Sequence, residues 1–75
     1  MKIFAFGIAA DKMKSSCVMA ENIHHSAELR VWLNQHYPEL KGLNISIAVN
    51  KKIIQTDIDL SEDAEVALLP PFSGG

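Results

Sequence analysis

The sequence predicts an α+β domain in which one long helix packs on one face of a small β-sheet. Three observations support this fold class. The chain has 75 residues, too few for a doubly wound sheet or a barrel enzyme. A single long segment has the period of an amphipathic helix, whereas several short segments have the character of strands. Because one helix cannot cover both faces of a sheet, a two-layer arrangement is the most economical solution.

The first half of the chain predicts two strands joined by a short crossing. Residues 2–6 are apolar and rich in aromatic side chains, which is typical of a strand that is covered on both faces. Residues 8–14 have only weak helical character. Residues 16–20 predict a second strand that places Cys17 and Met19 on the same face.

The clearest period in the chain lies in residues 26–37, which predict the main helix. Its apolar stripe consists of Leu29, Trp32, Leu33 and His36. Either Ser26 or His25 can be the N-cap, and with His25 there Glu28 takes the third helical position, where an acidic side chain favours the helix start. Pro38 disfavours helical geometry at the residue before it and therefore ends the helix.

Three further strands follow the helix. Residues 44–49 alternate apolar and polar side chains, Asn50 and Lys51 predict a turn, and residues 53–54 return as a short strand. Residues 64–69 form the last strand, which Pro70 ends because proline has no amide hydrogen to donate. The first and last strands are the most apolar, so we expect them to pair centrally, with the hairpin strands at the edge.

The charge of the chain excludes some classes of partner. Seven basic and nine acidic residues give a formal net charge of −2, which predicts neither nucleic-acid nor membrane binding. One cysteine cannot form an internal disulfide, as is usual for cytosolic proteins, and the apolar start at residues 1–10 is better explained as a strand than as a signal peptide. We therefore expect a cytoplasmic location.

The acidic residues are concentrated near the C-terminus. Residues 53–75 contain no Lys or Arg, and their five acidic side chains are Asp57, Asp59, Glu62, Asp63 and Glu65. These carboxylates predict either a solvated acidic loop or an acidic rim that steers the C-terminal end toward a basic partner.

Histidine and cysteine residues do not form a recognisable catalytic or metal motif. His24, His25 and His36 lack zinc-site spacing, and His36 on the helix stripe is expected to be partly buried. Cys17 is expected to be a small buried apolar residue, since no activating base accompanies it. An active site within this chain is therefore not expected.

The C-terminal residues are the most informative part of the sequence. Residues 1–69 form the predicted domain, and residues 70–75 form an extended tail of up to about 20 Å. Two prolines keep the tail out of the sheet, Phe72 provides an apolar anchor, and Gly74 and Gly75 let the backbone enter a narrow channel. The chemistry predicted here is that of the terminal carboxylate, activated by a partner enzyme.

A β-grasp pattern that ends in Gly-Gly resembles the ubiquitin-like sulfur carriers. The ending Leu-Leu-Pro-Pro-Phe-Ser-Gly-Gly is similar to that of the small subunit of molybdopterin synthase, and the likeness extends over the whole chain. The resemblance implies a mixed sheet of four to five strands with one main helix on one face. Two departures are Ala10-Asp11, where many members have Arg-Glu, and Lys14, near which many members have glycine.

The resemblance also implies a mechanism. A ubiquitin-activating-like adenylyltransferase would adenylate Gly75 with ATP, which this chain does not bind, and the carboxylate would become a thiocarboxylate. This chain would be the non-catalytic sulfur donor in a heterotetramer with the large catalytic subunit. That subunit would pass the sulfur to cyclic pyranopterin monophosphate to form the molybdopterin dithiolene. The tail residues implied to bind the large subunit are Pro70, Pro71, Phe72, Ser73 and Gly74.

Three alternatives remain open on the sequence alone. The chain can be a sulfur carrier for another pathway, such as thiazole formation for thiamine, although such carriers usually lack the Pro-Pro step. It can be a modifier that forms isopeptide bonds to lysines. It can also be a purely structural interaction domain, in which case Gly74 and Gly75 would be dispensable.

Overall fold

A computed structural model describes residues 1–70 of the chain. The elements in order are β1 (Lys2–Ala5), α1 (Ile8–Met13), β2 (Cys17–Met19), α2 (Ser26–His36), β3 (Ser46–Val49), β4 (Lys52–Ile53) and β5 (Glu65–Leu69), with a 3₁₀ turn at Pro38–Leu40. The predicted α+β class and the predicted order of elements are confirmed, and the predicted ends differ from the observed ends by at most two residues. No helix in the described range is long and apolar enough to cross a bilayer.

The five strands form one mixed sheet in the order β2-β1-β5-β3-β4. β1 and β5 are parallel, with Ile3 opposite Val66, and the other pairings are antiparallel. β5 therefore lies at the centre, flanked by β1 and β3, and the short strands β2 and β4 form the edges. The predicted central pairing of the first and last strands is confirmed.

The core lies between the sheet and α2. Ile3, Val66, Leu68 and Leu29 are almost fully buried there. The expectation that the first strand is covered on both faces is wrong: along β1 burial alternates, so that Ile3 and Ala5 are buried while Phe4 is half-buried. A single helix covers one face of the sheet, and the other face stays open.

The helix α2 turns a narrower stripe toward the core than its sequence predicts. Ser26, Leu29 and Leu33 are its buried residues, whereas Trp32 is half-buried at the rim. His36 is exposed, so its predicted partial burial is wrong. Its ring stacks on Trp32 with centroids 4.1 Å apart, and its Nδ1 lies 3.0 Å from the Trp32 carbonyl oxygen. Stacking on a neighbouring side chain, rather than burial in the core, accounts for its place on the stripe.

A carboxylate from a distant loop caps the start of α2. His25 is the N-cap residue, but its side chain makes no capping hydrogen bond. Asp57 Oδ1 instead accepts hydrogen bonds from Ser26 Oγ at 2.7 Å and from the Ala27 amide at 2.8 Å. Ser26 Oγ in turn accepts from the Ile58 amide at 2.8 Å. The cap therefore fixes the loop between β4 and β5 against the helix.

Two connections adopt left-handed backbone conformations. Asn50 and Lys51 have φ of 50° and 72°, as a two-residue type I′ hairpin turn requires. Lys14 ends α1 with φ of 58°, a conformation that glycine adopts without strain. The lysine thus occupies a left-handed position close to where many members of the resembled family have glycine.

Candidate functional site

The structure describes only the base of the predicted tail. Pro70 is half-buried at the end of β5. The other predicted site residues lie outside the described residues: Pro71, Phe72, Ser73, Gly74 and Gly75. The geometry of the site is therefore that of the point where the tail leaves the sheet, and of the surfaces around it.

The tail leaves from the most firmly held strand of the sheet. Leu69, the last residue of β5, lies opposite Ser46 of β3. On the other side of β5 the Phe6 amide donates a hydrogen bond to the Leu68 carbonyl at 3.1 Å, directly after β1. Because Pro70 has no amide hydrogen, the ladder stops there. The central position of β5 fixes where the tail begins.

Pro70 packs on the turn between β1 and α1. Gly7, the N-cap of α1, has φ of 57°. A β-carbon built on Gly7 would lie 3.1 Å from both Cβ and Cγ of the Pro70 ring. A glycine at position 7 satisfies both the positive φ and the close approach of the proline ring.

The face of the sheet opposite α2, here called the outer face, carries an apolar row that crosses every strand. Phe4 pairs with Cys17 of β2 and with Ala67 of β5. Ala67 pairs with Ala48 of β3, and Ala48 pairs with Ile53 of β4. Paired residues in adjacent strands point to the same side, so these five side chains form one continuous row.

The outer face remains apolar up to the base of the tail. Phe6 and Leu69 follow Phe4 and Ala67 by two residues and therefore lie on the same face. Phe6 is 49% exposed and Ile53 is 54% exposed, values that are high for large apolar side chains. Large exposed apolar side chains on one face of a sheet are characteristic of protein–protein contact.

Reasoning from the sequence missed both the outer face and Gly7. A signal for the outer face was present. Residues 3–6 are all apolar, so both faces of the first strand carry apolar side chains, whereas the chain supplies only one long helix to cover them. The role of Gly7 had no comparable signal. It depends on a contact with Pro70, which is 63 positions away in the sequence.

The acidic residues lie at the other end of β5 from the tail. Glu65 begins the strand beside Lys2, and Glu62 and Asp63 line a surface depression with Met1 and Met19. At about 3.3 Å per residue, the start of β5 is roughly 17 Å from Pro70, twice the Debye length of about 8 Å at physiological salt. Glu62, Asp63 and Glu65 are therefore separated from the base of the tail by the length of β5, and the predicted steering of a basic partner stays a prediction.

The carboxylates at the start of α2 are held in their ionised form. The backbone amide of His24 donates to Glu28 Oε1 at 2.9 Å and lowers the pKa of Glu28 below its usual value. The Ser26 hydroxyl, followed by the Ala27 amide, lowers the pKa of Asp57. The His25 ring lies 3.5 Å from each carboxylate. These groups stabilise the start of α2, and none of them is adjacent to the tail in sequence.

The other titratable groups singled out by the sequence are not assembled into a site. Cys17 is exposed on the edge strand β2, so its predicted burial is wrong: the residue lies on the outer face, which no helix covers. Within residues 1–70, no group of three or more His, Cys, Asp or Glu side chains is arranged to hold a metal ion. The features that the described part of the chain does bring together are the apolar outer face and the base of the tail.

Comparison with known proteins assigns the fold and the family. A family model described as the ThiS family matches residues 3–75. No match is found among curated protein sequences. The family match agrees with the resemblance to ubiquitin-like sulfur carriers that the sequence predicts.

Solved structures show the same fold. The complex of subunits 1 and 2 of molybdopterin-converting factor from Helicobacter pylori is similar at 26% identity and TM-score 0.72, covering 99% of this chain and 96% of that chain. Small archaeal modifier protein 1 from Methanosarcina acetivorans is similar at 21% identity and TM-score 0.80, covering 99% and 94%. SAMP1 from Haloferax volcanii is similar at 20% identity and TM-score 0.77, covering 99% and 97%. The predicted β-grasp fold is confirmed.

Proposed function

Because this chain belongs to the ThiS family, we propose that it is a sulfur carrier, and that the sulfur is used to build the dithiolene of molybdopterin. The observation that carries the proposal is the junction of the apolar outer face with the base of a Gly-Gly tail on the central strand. A carrier needs a rigid domain that a partner enzyme can bind, and a terminus that can enter the active site of that enzyme.

In this proposal the reacting group is the carboxylate of Gly75. An adenylyltransferase bearing ATP converts the carboxylate to an acyl adenylate, with release of pyrophosphate. Hydrosulfide then displaces AMP at the carbonyl carbon, with loss of its proton, and leaves a thiocarboxylate. This chain binds no cofactor and supplies no general acid or base, and it acts in the cytoplasm.

The large subunit of the synthase is the proposed partner. The outer face, with Phe6 and Leu69 next to Pro70, would pack against that subunit while the tail enters its active site. Pro71, Phe72, Ser73 and Gly74 would line the channel, with Phe72 in an apolar pocket. A structural relative, the Helicobacter pylori protein, is recorded as a complex of subunits 1 and 2, which supports a two-subunit assembly.

A second candidate function is protein modification. Two of the similar structures are small archaeal modifier proteins. A modifier uses the same activated Gly75 carboxylate but passes it to a lysine amine, which forms an isopeptide bond. Covalent conjugates on a denaturing gel would favour modification. A thiocarboxylate without conjugates would favour the carrier, and the precursor that accepts the sulfur would separate molybdopterin from thiazole synthesis.

The decisive experiment changes only the terminus. Deleting Gly75 withdraws the reacting carboxylate by about 3.5 Å, and adding one residue after it blocks that group. A displacement of 1 Å can cost about a hundredfold in rate, so both variants should bind the large subunit but give no molybdopterin. Dithiolene formation is measured with reconstituted synthase and enzymatically activated carrier.

Thermal unfolding and binding to the large subunit, measured on the same variants, are the controls. Both should match the unaltered chain, since neither change touches residues 1–70. Normal product from the Gly75 deletion would overturn the sulfur-carrier proposal.

A further inference from the structure

We infer that Gly7 is a positioning residue for sulfur transfer: its missing side chain lets the Pro70 ring pack on the β1–α1 turn, which sets the direction in which the tail leaves β5. The inference rests on the proposed function. Gly7 lies outside the tail, and the three atoms that its β-carbon would come nearest all belong to Pro70, so we expect its effect on transfer to act through Pro70.

The turn that carries Gly7 is held on both sides. The Phe6 amide donates to the Leu68 carbonyl at 3.1 Å, and the Asp11 amide donates to the Gly7 carbonyl at 3.2 Å. The first bond ties the turn to β5, and the second begins α1. Gly7 is thus a fixed point relative to the strand from which the tail emerges.

Pro70 depends on this packing because its backbone is not held by the sheet ladder. The proline has no amide hydrogen to donate, and within residues 1–70 no backbone amide donates to its carbonyl oxygen. Contact of its ring with Gly7 provides that restraint. A fully extended chain of five residues reaches about 17 Å, so a rotation of about 10° at Pro70 displaces the far end by about 3 Å.

Alanine at position 7 would disturb this contact in two ways. Its Cβ would lie 3.1 Å from Cβ and Cγ of the Pro70 ring, so the ring must shift by a few tenths of an ångström. The residue must also hold a φ of 57°, which strains any L side chain. Only the first effect moves the tail.

Gly42 provides a matched control for the second effect. It has φ of 87°, and a β-carbon there would meet no atom within 4 Å. Gly42→Ala therefore also places a side chain at a positive φ, but without displacing any neighbour. A difference between the two glycine variants isolates the contact with Pro70.

The experiment uses full-length carrier with a thiocarboxylated terminus and the large subunit of the synthase. The rate of sulfur transfer at saturating large subunit and the dissociation constant of the complex are measured separately for Gly7→Ala, Gly42→Ala, Pro70→Gly and the Gly7→Ala/Pro70→Gly double variant. We expect Gly7→Ala to lower the saturated rate about tenfold with little change in the dissociation constant, since a misplacement of 1 Å can cost a hundredfold. Gly42→Ala should leave the rate unchanged.

The double variant separates positioning from a general loss of stability. Pro70→Gly removes both Pro70 atoms that the new Cβ would meet at 3.1 Å, so adding Gly7→Ala to Pro70→Gly should cause no further fall in rate. Equal rates for Gly7→Ala and the unaltered carrier, or additive losses in the double variant, would overturn the inference. If Gly7→Ala does not fold, Pro70→Gly decides, because an unchanged rate in that variant would also overturn the inference.

Failure of the inference differs from failure of the proposed function. If the unaltered carrier transfers sulfur and the Gly7 variants behave like Gly42→Ala, only the positioning role is lost. If the unaltered thiocarboxylated carrier transfers no sulfur, the proposed function itself fails.

Discussion

Both faces of the sheet carry apolar side chains, but the surroundings of those side chains differ. On the inner face, Val66 and Leu68 of β5 are completely buried against α2. On the outer face, the neighbouring residues of the same strand, Ala67 and Leu69, are only partly buried. One strand therefore contributes to the core with one set of side chains and to an open apolar surface with the other.

This difference indicates how a chain of this size divides its apolar residues. A domain of about 75 residues buries little more than 60% of its unfolded surface, so stability is marginal and every core contact matters. Leaving Phe6, Met19 and Ile53 on the surface forgoes burial that would stabilise the isolated chain. Such exposure is explained if a partner covers the outer face.

The largest expected difference between the two faces is in how substitutions change the free energy of unfolding. Leu68→Ala removes a completely buried side chain and should lower the free energy of unfolding by about 2–5 kcal/mol, and Leu33→Ala should act similarly from the helix side. Trp32→Ala should cost less, because this side chain is half-buried at the rim of α2. Denaturant unfolding is the measurement, and unchanged unfolding in both leucine variants would show that the inner face is assigned wrongly.

On the outer face, substitutions should weaken binding to a partner and leave the free energy of unfolding almost unchanged. Phe6→Ser should weaken binding to the large subunit at least tenfold, as truncation of a central interface aromatic commonly does, while unfolding changes little. Ile53→Ser, at the far edge of the same face, is the matched control and should weaken binding less. The dissociation constants are measured by calorimetry, and equal losses from the two variants would contradict docking next to the tail.

The fold could be predicted from the sequence because its signals are local. The period of α2, the Asn50-Lys51 turn and the proline after β5 each follow from a few adjacent residues. The central pairing of β1 and β5 followed from their apolar character. Each of these features agrees with the others, which is why the order of elements was correct.

The features that could not be predicted depend on distant residues. Cys17 was expected to be buried but is exposed. The sequence of a strand does not show which of its two faces a helix will cover. The acidic residues were expected near the tail because they precede it in sequence, although β5 separates them from Pro70. The cap of α2 by Asp57 joins positions 31 residues apart. The terminal Gly-Gly predicted chemistry at the terminal carboxylate, but the pathway came only from the resemblance to a family.

The smallest expected effect concerns the Asp57 cap at the start of α2, and it depends on pH. The pKa of Asp57 lies below its usual value of 3.8 in the folded chain, chiefly because the Ser26 hydroxyl and then the Ala27 amide donate to the ionised form. A folded-state pKa below the unfolded value contributes stability that is fully present above the unfolded pKa and is lost as pH falls through the folded pKa. The cap should therefore stabilise the chain at neutral pH and weaken only in acid, below about pH 4.

Asp57→Asn tests this contribution, because the amide keeps an oxygen acceptor but removes the charge that favours a helix N-terminus. Its melting temperature should lie slightly below that of the unaltered chain at pH 7, and the gap should narrow as pH falls below 4. Asp63→Asn is the matched control, since Asp63 is exposed and makes no recorded hydrogen bond or ion pair within residues 1–70. A gap for Asp57→Asn that stays constant from pH 7 to pH 3 would mean that the cap acts through its hydrogen-bond geometry alone. Because the outer face contributes nothing to this cap, binding to the large subunit at pH 7 should be the same for both variants.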